Sequence, residues 1–287
     1  MIQESEAVLI IAVPNGFREI GSTPSRHSDA SKLAAPARRL IEKGCGLIYE
    51  VAQSNSYYGF AEDDPVEFVE MRGQDIPRMV ADRQTNIHLG IVGTDRYENS
   101  PKKLFDEVEI VRTLGFGTTK LQLGVPEGIP HFSELSKLED VAGLRVATGL
   151  DVLTRRIFRE RGVEAEIIEM TGHVETAIRY GRANVIVDLT ETGGTMRRNG
   201  LFPAECLGTH KAALIGKRNI VDEEISAIKS WFVNRVDKAL EHPEIWLESF
   251  DTETPSEMKS PAGLAAWVRT VMAYPMLHFM GKSLTSH

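Results

Sequence analysis

Val185-Ile186-Val187-Asp188-Leu189-Thr190-Glu191-Thr192-Gly193-Gly194-Thr195-Met196 carries the reading of this chain. Three apolar residues run into an acid, a second acid follows, and then comes Thr-Gly-Gly-Thr. The apolar run reads as a strand buried on both faces, which is typical of parallel sheets covered by helices. The two glycines let backbone N–H groups close around an anion, and the threonines add hydroxyl donors. A helix starting near Thr195 would add partial positive charge. Asp188 and Glu191 stand where they can accept hydrogen bonds from sugar hydroxyls. A sugar phosphate suits both halves of the stretch. The same residues also read as a plain tight turn after a core strand.

Outward from that stretch, further short apolar runs alternate with helix-compatible segments. Ala7–Val13, Asn86–Val92, Leu121–Val125, Leu144–Ala147, Glu166–Glu169 and Ala212–Ile215 read as strands. Ser31–Lys43, Asp75–Asp82, Val152–Arg161 and Val174–Tyr180 read as helices. This alternation predicts an α/β protein with mainly parallel strands. From about Lys217 the β signal fades. Asp222 caps a run with Ile225, Ile228, Trp231, Phe232, Val236 and Leu240 at helical spacing, and Pro243, Pro255, Pro261 and Pro275 divide the remainder. The tail therefore reads as an appended helical segment serving packing or subunit contacts.

Composition narrows the function. The 287 residues carry 33 Lys+Arg against 41 Asp+Glu, a formal net charge of −8. That balance argues against a duplex nucleic-acid binder, which needs a basic face. Cys45 and Cys206 are too few for a disulfide framework or a four-thiolate zinc site and read as buried or idle thiols. His88, His131, His173 and His210 are scattered, so no protein metal cluster is expected. The acidic opening Met1–Glu6 does not read as a signal peptide, and Ala7–Val13 is too short to span a bilayer. No membrane attachment and a cytoplasmic location are expected.

Several separated blocks together resemble the ATP phosphoribosyltransferase family, which opens histidine biosynthesis. They are Asp75-Ile76-Pro77, Leu89-Gly90-Ile91-Val92-Gly93, Leu114-Gly115-Phe116-Gly117, Arg145-Val146-Ala147-Thr148, Gly172-His173-Val174-Glu175, Asp188 to Met196, and Lys211-Ala212-Ala213-Leu214-Ile215. The resemblance implies a two-lobed fold similar to periplasmic solute-binding proteins. Lobe I would take 1–107 and 196–217, lobe II 108–195, and the helical C-terminal extension 218–287. It implies transfer of the phosphoribosyl group of phosphoribosyl pyrophosphate to N1 of ATP, with pyrophosphate released and Mg²⁺ held mainly by substrate. By similarity, Asp188, Glu191, Thr192, Gly193, Gly194 and Thr195 form the phosphoribosyl pyrophosphate loop.

That reaction needs no protein nucleophile; it needs alignment and stabilisation of departing charge. Asp188, Glu191 and Arg72 are the catalytic candidates. Arg18, Arg72, Asp75, Gly93, Lys120, Thr148 and Glu175 are candidates for holding ATP and pyrophosphate. Among other cations, Arg145 is a further candidate, whereas Arg155 and Arg156 also read as a solvated helix face. Glu175 also reads as a first-turn acid. The partners implied are small-molecule substrates and a second copy of the chain in a homo-oligomer.

The chain departs from the family at four places. Pro14-Asn15-Gly16-Phe17-Arg18 replaces Lys-Gly-Arg-Leu, Gly149-Leu150-Asp151 replaces a Tyr-Pro pair, and His88 replaces an acid. The tail lacks the βαββα pattern of the long form's histidine-sensing domain and is longer than the short form. These departures keep open a specialised nucleoside pathway of the coformycin or pentostatin type, another purine or azole acceptor, and a non-catalytic cytosolic nucleotide binder.

Overall fold

The computed structural model describes residues 7–17, 30–51, 56–128, 132, 134–191 and 193–247. They form two mixed sheets. In the first, strands β1 (Leu9–Pro14), β2 (Tyr49–Val51), β3 (Tyr58–Ala61), β4 (Val66–Met71), β5 (Ile87–Gly93), β6 (Val108–Thr113) and β12 (Ala212–Lys217) lie in the order β2-β3-β4-β1-β5-β12-β6. The second holds β7 (Thr119–Pro126), β8 (Arg145–Thr148), β9 (Glu166–Glu169), β10 (Val185–Thr190) and β11 (Leu201–His210), ordered β11-β7-β10-β8-β9. Helices α1 (Ala30–Arg39), α2 (Ile76–Ala81), α3 (Thr94–Glu98), α4 (Asp151–Glu160), α5 (Thr176–Arg179), α6 (Gly194–Arg198), α7 (Glu223–Glu241) and α8 (Pro243–Trp246) complete the described fold.

Parallel pairing runs through β4–β1–β5 in the first sheet, where β4 was not among the expected strands, and through β10–β8–β9 in the second, with β9 at its edge. Antiparallel pairs flank them, because the chain crosses between sheets twice and returns on strands of opposite sense. The crossings are residues 114–118, between β6 and β7, and Lys211, between β11 and β12. They bind one another: Leu114 N–H donates to Ala212 O at 2.8 Å, and Ala212 N–H to Phe116 O at 2.9 Å. The sheets therefore exchange at 114–118 and 211, not at 107/108 and 195/196. β6 stays with the first sheet because β12 pairs with it, and α6 and β11 stay with the second because β7 pairs with β11.

The C-terminal run is not an appendage over its described part. Asp222 caps α7 as expected, its Oδ1 accepting from Glu224 N–H at 2.9 Å and Ile225 N–H at 3.1 Å. Phe232, Val233 and Val236 then join the core around Leu9 and Ile11. Trp246 is 2% exposed, lies edge-on to Phe116 of the crossing at 5.9 Å, and donates from its indole to Ala239 O at 2.7 Å. Large side chains buried this fully contribute about 1.5–3 kcal/mol each, so this part of the tail is structural core. Trp267 lies outside the described residues. The helix expected over 31–43 keeps its length, but its last turn, Leu40–Gly44, widens to i→i+5 bonding.

His88 illustrates how a family departure is absorbed. The β1–β5 register slips between Ile10 and Ile11, which takes the Ile10 N–H out of the regular ladder. His88 Nδ1 accepts that N–H at 3.1 Å. Burial, and then the charge of Lys217, pull the imidazole down to about 4, against an opposing pull from Asp222. The native ring is therefore neutral at pH values where the unfolded chain's His is protonated. Stability present above pH 6.5 falls as pH drops toward 4. In thermal melts across that window, His88→Gln is expected to show a shallower loss of melting temperature than the parent.

Candidate functional site

The site is built at the carboxyl ends of the parallel strands, where α/β sheets place ligands. In the first sheet Pro14 pairs with Met71, so loops 15–17 and 72–75 leave from adjacent strand ends, and Asn15 N–H donates to Met71 O at 3.0 Å. Arg72 is exposed in a turn closed by Asp75 N–H donating to its carbonyl at 2.8 Å. Asp75 precedes α2, and its side chain makes no cap bond to that helix. Gly93 ends β5 beside Ala212, immediately before α3. A Cβ at Gly93 would collide with the Asp95 carboxylate, so the backbone here is free of side-chain bulk for a steric reason. Arg18 lies outside the described residues.

In the second sheet the expected loop follows β10. Val185 and Val187 pack into one core layer, Ile186 into the other. Alternation therefore puts Asp188 and Thr190 on the face that carries Ile186 and Met196 of α6. Opposite them in antiparallel register stand Gln122 and Lys120. Directly opposed residues share a face, so Lys120, Gln122, Asp188 and Thr190 form one polar patch toward the carboxyl end of β10, within the sheet. Asp188 is half-buried, and its Oδ1 accepts the N–H of Leu189 at 2.8 Å. Glu191 is exposed. Thr192 lies outside the described residues.

Gly193 has φ of +74°, and α6 begins at Gly194, one residue earlier than expected. With only five residues α6 supplies little dipole, so the anion-binding capacity of this turn rests on its backbone N–H groups and hydroxyls. Thr195 is exposed, and Arg198 Nη2 donates to its Oγ1 at 3.2 Å. The Arg197 guanidinium lies 3.6 Å from where a Gly193 Cβ would stand, which brings to the loop a cation the sequence reading missed.

Other assignments change. Thr148 is fully buried, its Oγ1 accepting from Leu150 N–H at 3.0 Å and lying 3.2 Å from Thr154 Oγ1. Its hydroxyl holds the entry to α4 and is not offered to a ligand. Thr148→Val should cost about 1–3 kcal/mol by leaving the Leu150 N–H unpaired, seen as a lower denaturation midpoint with little change in KM. Arg145 starts β8, at the opposite end from the loops, which removes it from the candidate cations. Arg155 is exposed and donates to Ile167 O at 2.9 Å, while Arg156 is half-buried and donates to Glu98 at 2.7 Å. Glu175 stands half-buried just before α5, beside His173, whose own φ is +48°. Cys45 is buried and its thiol is pushed up to about 12 by that burial, whereas Cys206, expected to be buried or idle, is exposed. Among the described residues no three His, Cys, Asp or Glu side chains converge to hold a metal ion, and no helix is long and apolar enough to cross a membrane.

Fold and site together define a two-lobed α/β protein of the periplasmic-binding type, with candidate loops of both lobes at the strand ends beside the crossings. An ATP phosphoribosyltransferase HisG:HisZ complex from Thermotoga maritima shares this fold at a TM-score of 0.61 and 21% identity, covering 82% of this chain and all of that one. A histidine kinase sensor domain with similarity to periplasmic binding proteins aligns at a TM-score of 0.51 and 13% identity, over 84% of this chain and 96% of its own. The family profile for ATP phosphoribosyltransferase matches residues 72–238. An ATP phosphoribosyltransferase from Stenotrophomonas maltophilia is 32% identical over 220 residues, spanning 75% of this chain and 70% of its own. One from Carboxydothermus hydrogenoformans is 36% identical over 201 residues, spanning 69% of this chain and 87% of its own. The chain belongs to the ATP phosphoribosyltransferase family, and its enzyme class is pentosyltransferase.

Proposed function

We propose that the chain transfers the 5-phosphoribosyl group of phosphoribosyl pyrophosphate to N1 of ATP, releasing pyrophosphate, as a step of histidine biosynthesis. The observation that carries this reading is the Asp188–Thr195 loop, with Lys120 and Gln122 opposite its strand and the lobe I loops at the matching strand ends. The backbone N–H groups around Gly193 and Gly194 and the Thr195 hydroxyl bind the 5-phosphate. Asp188 and Glu191 accept from the ribose hydroxyls.

In the reaction the N1–C1′ bond forms as the bond from C1′ to the pyrophosphate oxygen breaks, and that electron pair leaves with pyrophosphate. The anomeric carbon is electron-poor in between, so the carboxylate of Asp188 opposes its positive charge. Arg72 and Lys120 face the departing negative charge. The donor set near the loop, two carboxylates and hydroxyls, suits a hard cation that is bound chiefly by phosphate oxygens and water. Mg²⁺ brought by the donor would neutralise pyrophosphate charge, and Asp188 and Glu191 are the nearby carboxylates that would help hold it. A histidine auxotroph lacking its own ATP phosphoribosyltransferase tests the reading. Growth on minimal medium supports it; growth only with added histidine, despite soluble expression, contradicts it.

A further inference from the structure

We infer that Glu98 is a positioning residue that fixes the two lobes against each other beside the transferase site, with Arg156 and His210 as its partners. The inference rests on the transferase reading above. Glu98 ends α3, which starts one residue after Gly93. Its two carboxylate oxygens serve different parts of the molecule. Oε2 accepts from Arg156 Nη2 at 2.7 Å, reaching α4 in the second lobe. Oε1 lies 3.7 Å from Nδ1 of His210, the last residue of β11, where the chain returns to the first lobe. Next to Glu98, Asn99 Oδ1 accepts from Leu153 N–H at 3.0 Å, one of the first-turn amides that α4 leaves unpaired.

His210 is 4% exposed, and its Nε2 has no hydrogen-bond partner among the described residues. Nδ1 is the ring nitrogen turned toward partners. It faces Thr94 Oγ1 at 3.2 Å and, beyond it, Glu98. Thr94 in turn is tied to Lys211: its Oγ1 accepts Lys211 N–H at 3.2 Å, and its own N–H donates to Lys211 O at 2.8 Å. Asp95, buried beside them, has its carboxyl held above the usual range by that burial, partly offset by Arg96 and His210. One carboxylate thus joins α3 to α4, with the returning crossing alongside it. Helices α3 and α4 each follow the carboxyl end of a central strand, β5 and β8. A rotation at this junction would carry the donor loop away from the loops at 72–75 and 93. Displacements of about 1 Å can cost on the order of a hundredfold in rate. The Glu98–Arg156 pair is about one-third exposed on each side, so it adds little to folding stability.

The test compares Glu98→Ala, Arg156→Ala and the double variant in the full chain. Each single variant should lose about ten- to a hundredfold in kcat while phosphoribosyl pyrophosphate still binds within about threefold of the parent and the melting temperature barely moves. The double variant should lose no more than the worse single one. A kcat within twofold of the parent, losses that multiply in the double variant, or losses that track the melting temperature overturn the inference. Small-angle X-ray scattering reads lobe orientation without substrate. A Glu98→Ala profile identical to the parent's overturns it whatever reaction the enzyme runs, and an inactive parent overturns the transferase reading instead.

Discussion

Asp188→Asn will lower kcat/KM for phosphoribosyl pyrophosphate by about 10²–10³, with a melting temperature close to the parent's. The amide keeps an oxygen that can accept the Leu189 N–H, so the local turn survives and only the charge is removed. What disappears is the negative charge facing an electron-poor anomeric carbon and the charged acceptor for a ribose hydroxyl. Losing one pre-placed electrostatic contact in a transition state costs on the order of 2.7–4 kcal/mol, which is the stated range in rate. Steady-state kinetics beside a thermal melt checks it. A loss below threefold would remove Asp188 from the reacting centre, and a large fall in melting temperature would make its role structural.

The second large effect is expected at Gly193. Its φ of +74° lies in the left-handed region, where a β-branched side chain is an outlier. A Cβ there would also come within 3.2 Å of Pro203 Cγ, a ring on β11 that cannot swing aside. Gly193→Val therefore has to displace the loop, and the KM for the donor should rise at least about tenfold as its N–H groups lose their aim. Gly200→Ala supplies the control. Gly200 has a similar φ of +70° but open space around the missing Cβ, so it carries the backbone cost, about 1–2 kcal/mol, without the collision. Donor KM should be unchanged in that variant. Equal effects at both positions would mean that backbone strain alone, and not the loop's shape, is responsible.

How much of this was legible in the sequence follows from which contacts are local. The run Val185-Ile186-Val187 announces a strand buried on both sides, and it pairs with β7 on one side and β8 on the other. Asp222 and the helical spacing after it announce α7 because cap and periodicity lie within one element. Strands β2 and β3 were not legible, since they are three and four residues long and Tyr58 and Phe60 point to solvent. β11 was hidden by Pro203, Gly208 and two register shifts, which break the alternation that marks a strand. β6 was not among the expected strands, and its residues were placed with 108–195; it pairs with β12, which arrives about a hundred residues later.

The site divides the same way. The acids and glycines of the loop are contiguous and could be read directly. The face shared by Lys120, Gln122 and Asp188 comes from antiparallel register, and sequence spacing does not carry that; of the two β7 residues only Lys120 was singled out beforehand. Thr148 was misread because a threonine at a strand end resembles a ligand position, yet here the following helix consumes its hydroxyl. The bridge through Glu98 joins residues 58 and 112 positions apart and has no signature in sequence.

The most direct measurement of the central claim mixes the purified chain with ATP, phosphoribosyl pyrophosphate, Mg²⁺ and inorganic pyrophosphatase, which pulls the reaction forward by removing product. Phosphate release and the mass of the nucleotide product are then followed together. The account predicts phosphate release that requires ATP, with a nucleotide heavier than ATP by one phosphoribosyl group, and loss of both signals in Asp188→Asn. Donor binding without an ATP-dependent product, or equal turnover with and without Asp188, would contradict it.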